Sequence, residues 1–177
     1  MSHEHIATYL NDHLAGSVVA LELLENLEEM HDGTPAGQVL AEVRADVTAD
    51  QQELKALMVR LDVSESRIRK STAWLAGRAA ELKLRVDDPA DGALRRLEAL
   101  EILELGIGGK RALWRALAVA AEAEPALRLA DYDHMARRAE DQRARVEQLR
   151  LEAARAALAG IGQFAADTGR RSPLQSK

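Results

Sequence analysis

The sequence predicts an all-α fold, a four-helix bundle with one long crossover that contains a short extra helix. Hydrophobic residues make up 47% of the 177 residues but aromatic residues only 3%, so Ala and aliphatic side chains must fill the core. Apolar residues recur three and four positions apart, and no stretch alternates with the period of two that marks a strand. A chain of this length is typical of a single domain.

Gly and Pro divide the chain into helical segments. Gly33 ends the first helix, and Thr34 and Pro35 follow as N-cap and first residue of the second. Pro125 breaks the chain again, because the residue before a proline disfavours helical geometry. The predicted helices span about 2–32, 34–62, 64–85, 93–122 and 126–159. We expect residues 1–160 to form the bundle and residues 161–177, which lack periodicity, to form a flexible C-terminal tail.

Each of the four long helices carries an apolar stripe that one polar residue interrupts. These four residues are His13, Asp50, Lys110 and Gln142. Counted from the turn of each hairpin, they lie 20, 17, 15 and 17 residues away. Since a helix rises about 1.5 Å per residue, their depths agree to within about one turn. The sequence therefore predicts that the four side chains meet in one layer inside the bundle.

Asp50 and Lys110 would neutralise each other in this layer, because a lone buried charge is very costly. His13 and Gln142 would complete the hydrogen bonds. Three interpretations stay open at this point. The pair can be a structural ion pair that fixes helix register, Lys110 can extend to solvent along its aliphatic chain, or the layer can be a working polar site.

Two stretches resemble a known family. The run LEALEILELGIGGK at 97–110 and the pattern Asp46-x-x-x-Asp50-x-x-x-Leu54 are similar to small bacterial ferritin-like proteins of uncertain function. The resemblance covers roughly residues 1–160. It implies a ferritin-like arrangement, in which the four long helices of the bundle run antiparallel to their neighbours.

The chain departs from this family at the metal site. Di-iron members carry a Glu-x-x-His pair on two helices and a Glu on each of the other two. At the inward positions this chain has Val47-x-x-Asp50 and Ala139-x-x-Gln142, and Lys110 would place a positive charge where a cation would bind. We therefore expect no di-iron centre, no other metal, no cofactor and none of the associated oxygen chemistry.

The run from Gly106 to Lys110 looks like part of a phosphate-binding loop, but its spacing is wrong. The first Gly of Gly-x-x-x-x-Gly-Lys would fall on Glu104, and Arg111 replaces the Ser or Thr that should follow. We expect instead that these small residues let another helix approach closely.

Charge is distributed unevenly along the chain. Residues 1–54 hold eleven acidic residues and one basic residue, Arg44, for a local charge of −10, so the remainder carries +5 against the net −5. The two parts can attract each other within the fold. The basic excess is too small and too interleaved with acids to predict nucleic-acid binding.

The subcellular location is predicted from three features that the sequence lacks: a membrane span, a secretory signal and cysteine. No apolar run approaches the roughly 18–20 residues of a membrane span, so no membrane association is expected. The start of the chain is acidic, which argues against a secretory signal. Together with the absence of cysteine, these features predict a cytoplasmic protein.

The leading functional hypothesis is a non-catalytic structural or interaction module, acting as a homodimer. It rests on the missing metal ligands and on the first helix, where apolar residues cover nearly every side. Those residues are Val18, Val19, Leu21, Leu23 and Leu24. The alternative is a metal- or small-molecule-binding protein with its site at the polar layer.

Overall fold

A computed structural model describes residues 2–65, 77 and 92–159. Within these residues the ordered elements are all helical and no strand occurs. The four long helices are α1 (Ser2–Met30), α2 (Pro35–Arg60), α3 (Ala93–Ala123) and α4 (Tyr132–Leu158), with a 3₁₀ turn at Pro125–Leu127 before α4. The all-α fold class and the four long helices of the prediction are confirmed.

The start of α4 differs from the prediction. Helix was expected from 126, but Pro125–Leu127 form a separate 3₁₀ turn and α4 begins only at Tyr132. The reason is Asp131, whose side chain accepts a hydrogen bond of 2.9 Å from the backbone N–H of His134 and so caps the new helix. The short helix predicted over 64–85 and the tail predicted at 161–177 lie outside the described residues, except at 64, 65 and 77.

The turn between α1 and α2 depends on two glycines. Gly33 has a φ of +70°, a left-handed conformation that favours glycine. The hydroxyl oxygen of Thr34 accepts a hydrogen bond of 3.1 Å from the backbone N–H of Gly37, which caps α2 as predicted. A Cβ atom on Gly37 would overlap the carbonyl oxygen of His31. This turn is therefore too tight for any other residue at position 37.

Polar contacts show how the helices lie side by side. Helix α1 packs on α2 and α3, and α4 packs on α3 and α2. Glu28 of α1 pairs with Arg44 of α2, and further along α2 the side chain of Gln51 donates to Ser17. The residue numbers rise along α2 as they fall along α1, as expected for helices joined by a short turn.

In the described residues, the core consists of two hydrophobic clusters stacked along the bundle. One contains Leu24, Val43 and Leu103, and the other contains Leu10, Leu57 and Trp114 among others. The polar layer lies between them, since along α2 Asp50 falls between Val47 of the first cluster and Leu54 of the second. This position holds the charged groups far from both ends of the bundle.

The apolar surface of α1 is partly accounted for. Leu23 and Leu24 both lie in the core, whereas Val18 is exposed and Val19 and Leu21 are half-buried. The surplus that the sequence suggested is therefore smaller than expected. No helix in the described part of the chain is long and apolar enough to cross a bilayer.

Candidate functional site

An ion cluster forms around Asp50, which is 2% exposed. The ammonium group of Lys110 donates to Oδ2 of Asp50 at 2.5 Å, and Nε2 of Gln142 donates to the same oxygen at 2.9 Å. The guanidinium group of Arg138 donates to the other oxygen, Oδ1. One buried carboxylate thus accepts hydrogen bonds from three side chains on α3 and α4, which joins the two helix pairs.

Lys110 is held inside the bundle. Its ammonium group also donates to the side-chain oxygen of Gln142, and its side chain is only 14% exposed. The interpretation that Lys110 extends to solvent is therefore wrong. Burial lowers the pKa of Lys110, and the neighbouring Asp50 carboxylate offsets part of this effect.

The structure brings together three of the four predicted residues and leaves out His13. The ring of His13 lies edge-on to Tyr9, with 4.7 Å between the ring centroids, and makes no hydrogen bond to the Asp50 cluster. Burial lowers the pKa of His13, and the charge of Asp12 offsets part of this effect. His13 thus has the expected depth along α1 but is not a hydrogen-bonded member of the cluster.

Arg138 is the member of the cluster that the sequence argument missed. It lies one residue before the buried Ala139 of the α4 stripe, on the flank of the helix, with its side chain 28% exposed. The sequence did indicate that Arg138 could join the cluster, because it is four residues before Gln142 and residues four apart share a helix face. A long side chain can reach inward from a flank, and the apolar stripe alone does not reveal this.

Further ion pairs join α2 to α4 beside the cluster. Arg145 binds Asp46 and lies 3.7 Å from Glu42. Both acids belong to the acidic first part of the chain, and Arg145 belongs to the basic remainder. The uneven charge of the sequence thus corresponds to attraction between these two helices.

A cavity of about 210 Å³ opens beside the cluster, between α1, α2 and α3. Its polar lining consists of Asp12, His13, Ser17, Asp50, Gln51 and Lys110. The rest of the wall is apolar or glycine, with Leu113 and Trp114 among the large side chains. For comparison, an apolar cavity of roughly 150 Å³ is large enough to bind benzene.

Glycines keep this cavity open. Gly16 of α1 and Gly106 and Gly109 of α3 line it, and a Cβ atom on any of them would meet no atom within 4 Å. Within the described residues, no other helix therefore approaches these glycines of α3 closely, and a close approach by a second copy of the chain stays a prediction. Each costs about 1 kcal/mol of helix stability relative to Ala, and what it provides is open space.

The interior positions of α2 and α4 at this level carry one acid, Asp50, and otherwise apolar or amide side chains. Val47, Ala139 and Gln142 are all buried, next to Asp50 and its two cations. In the part of the chain that the structure describes, no three His, Cys, Asp or Glu side chains are grouped closely enough to hold a metal ion.

Comparisons of this chain with protein-family models, curated proteins and solved structures find no match. No relative therefore suggests an activity or a ligand, and the resemblance to ferritin-like proteins stays a hypothesis. The function has to be argued from the cavity and the ion cluster beside it.

Proposed function

We propose that this protein binds a small organic molecule in the cavity between α1, α2 and α3 and does not transform it. The observation that carries the proposal is the cavity itself, about 210 Å³ of open space at the depth of the polar layer. An ion layer that only held the helices together would not need an open pocket beside its charged groups, whereas a binding site does.

The composition of the wall supports binding. Ligand pockets are mainly apolar and have a few polar groups that orient the ligand. Here Leu54, Leu113 and Trp114 supply apolar surface, while Asp50 and Lys110 supply charge on one side. The three glycines support the same conclusion, because Ala would stabilise both helices at these positions.

The polar groups are arranged for binding rather than for catalysis. The hydroxyl of Ser17 donates to the carbonyl oxygen of Leu14 at 2.6 Å and accepts from Gln51 at 2.9 Å. It makes no hydrogen bond to His13, so no activated nucleophile is formed. Both oxygens of Asp50 are already occupied by cations and an amide, which leaves them poorly suited to accept a proton from a substrate.

The proposal includes a ferritin-like antiparallel arrangement of the four helices, assembly as a homodimer and a cytoplasmic location. Exposed apolar residues of α3 support the dimer, since Leu105 is 60% and Val119 is 66% exposed. The absence of cysteine is compatible with the reducing cytoplasm.

A structural or interaction module remains the second candidate function, and the same exposed apolar residues of α3 favour it.

Fluorobenzene is a suitable probe for the cavity, because it is apolar and hardly larger than benzene. We expect saturable binding, followed by ¹⁹F NMR line broadening on the full chain. Gly106→Leu should abolish this binding, because the new side chain would occupy the cavity. The matched control is Gly108→Leu, two residues further along α3. A Cβ atom there also meets nothing within 4 Å, but Gly108 does not line the cavity.

The two variants show whether fluorobenzene binds in the cavity or elsewhere on the protein. If Gly108→Leu binds fluorobenzene as the natural protein does and Gly106→Leu does not, the cavity is the binding site. If fluorobenzene shows no saturable binding, or binds Gly106→Leu equally well, the proposal is wrong.

A further inference from the structure

The ammonium group of Lys110 has hydrogen-bonding capacity left at the wall of the cavity. It carries three hydrogens, of which one goes to Asp50 and one to the side-chain oxygen of Gln142. The third has no acceptor in the described part of the chain. Because Lys110 lines the cavity, an acceptor atom on a bound molecule can take this hydrogen.

The cluster also carries more positive than negative charge. Lys110 and Arg138 both bind Asp50, so two cations share one buried carboxylate. The next acid on α2, Asp46, attracts Lys110 from a distance, but it is itself bound to Arg145 and makes no ion pair with Lys110 in the described residues. A second carboxylate beside Lys110 would balance the cluster, and charge-assisted hydrogen bonds of this kind are stronger than neutral ones.

We infer that the natural ligand of the cavity is a small carboxylic acid with an apolar body, bound as its carboxylate to Lys110. This inference rests on the proposed function and names the chemistry of the ligand. The apolar body would lie along Leu113 and Trp114, and the carboxylate would accept the free hydrogen of Lys110.

Two acids line the cavity: Asp50, whose charge Lys110 and Arg138 bind, and Asp12, which opposes an anion. Asp12 lies on α1, and one of its oxygens, Oδ1, is shielded from solvent and has no hydrogen-bond partner among the described residues. Removing the charge of Asp12 should therefore strengthen binding of a carboxylate, whereas it should weaken binding of an amine. This residue gives the inference a second, independent test.

The experiment compares three probes that share one ring: 3-(4-fluorophenyl)propanoate, its primary amide and 2-(4-fluorophenyl)ethylamine. Binding to the full chain is measured by ¹⁹F NMR titration. We expect the carboxylate to bind about ten-fold more tightly than the amide or the amine, as for a hydrogen bond to a charged group. Lys110→Met should remove this preference, and Asp12→Asn should increase it.

Fluorobenzene serves as the control in every variant. If Lys110→Met still binds fluorobenzene, the cavity is intact and any loss of carboxylate preference belongs to the ammonium group. If fluorobenzene binds the natural protein but the three charged and uncharged probes bind alike, the inference is wrong and the proposed function stands. Failure of fluorobenzene itself would instead overturn the proposed function.

Discussion

Asp50 is the residue on which the interior depends most. It is the only anion in a buried cluster with two cations, and removal of one member of a buried ion pair costs about 3–5 kcal/mol. Without Asp50 the two cations, Lys110 and Arg138, would repel each other, and Gln142 carries no charge to neutralise them. The cluster thus makes one carboxylate of α2 responsible for holding α3 and α4 in place.

We expect Asp50→Ala to lower the free energy of unfolding by about 3–5 kcal/mol, measured by chemical denaturation. Adding Lys110→Met should recover part of this loss, because one of the two stranded cations is removed. Asp46→Ala is the matched control on the same helix. Its pair with Arg145 is about one-third exposed, so it should cost only about 1 kcal/mol or less. Simple additivity of the first two changes would show that Asp50 and Lys110 are not coupled.

His13 should make stability depend on pH. Burial holds the pKa of His13 below the value of 6.5 that it has when unperturbed. As the pH falls below about 6.5, the unfolded chain binds a proton that the folded protein does not, so the free energy of unfolding decreases. The decrease ends once the pH passes below the pKa of His13 in the folded protein.

Denaturation curves at pH 7.5 and 5.5 measure this effect. In His13→Gln the loss of stability between the two pH values should be smaller than in the natural protein. His134→Gln, which changes an exposed residue of α4, should leave the loss unchanged. An equal loss in all three proteins would rule out His13 as its source.

Helix depth could be predicted from the sequence, but orientation around each helix axis could not. Counting residues from the turns placed Asp50, Lys110 and Gln142 at one level, and they do meet there. The same count placed His13 at this level, yet its side chain faces the cavity. A stripe of apolar residues is about 100° wide, so a side chain within it can point in any direction over that range. The stripe also does not show which long side chains reach inward from its edge.

At the scale of the helices, the glycines fall into two kinds that the sequence does not distinguish. Gly37 is required because the backbone of His31 lies against it, whereas Gly16, Gly106 and Gly109 face open space. In the sequence both kinds are simply glycines within helical periodicity. The helix ends were predicted best at the turn between α1 and α2 and at the end of α3. They were predicted least well at the start of α4, where Pro125 opens a separate 3₁₀ turn and the cap is Asp131.

Alanine substitutions separate the two kinds of glycine. Gly106→Ala should raise the free energy of unfolding by up to about 1 kcal/mol, because Ala is the better helix former and nothing obstructs its side chain. Gly37→Ala should lower it despite the same propensity gain, because the new Cβ atom would overlap the backbone at His31. Thermal denaturation of both variants tests this, and a destabilised Gly106→Ala would show that something packs against this face.

For the whole molecule, the exposed apolar residues predict association. Sedimentation velocity of the full chain should give a mass of twice the 19.4 kDa of one chain. Val119→Asp should shift the equilibrium toward single chains, because it places a charge among exposed apolar residues of α3. A strict monomer at all concentrations, with or without this substitution, would exclude the homodimer.

The cavity also bears on how this protein should respond to hydrostatic pressure. Pressure favours the unfolded chain chiefly where unfolding eliminates sealed empty space inside the protein. This cavity is open to solvent, and Leu105 in its wall is 60% exposed. The bundle should therefore resist pressure as well as a bundle of the same length with a filled centre.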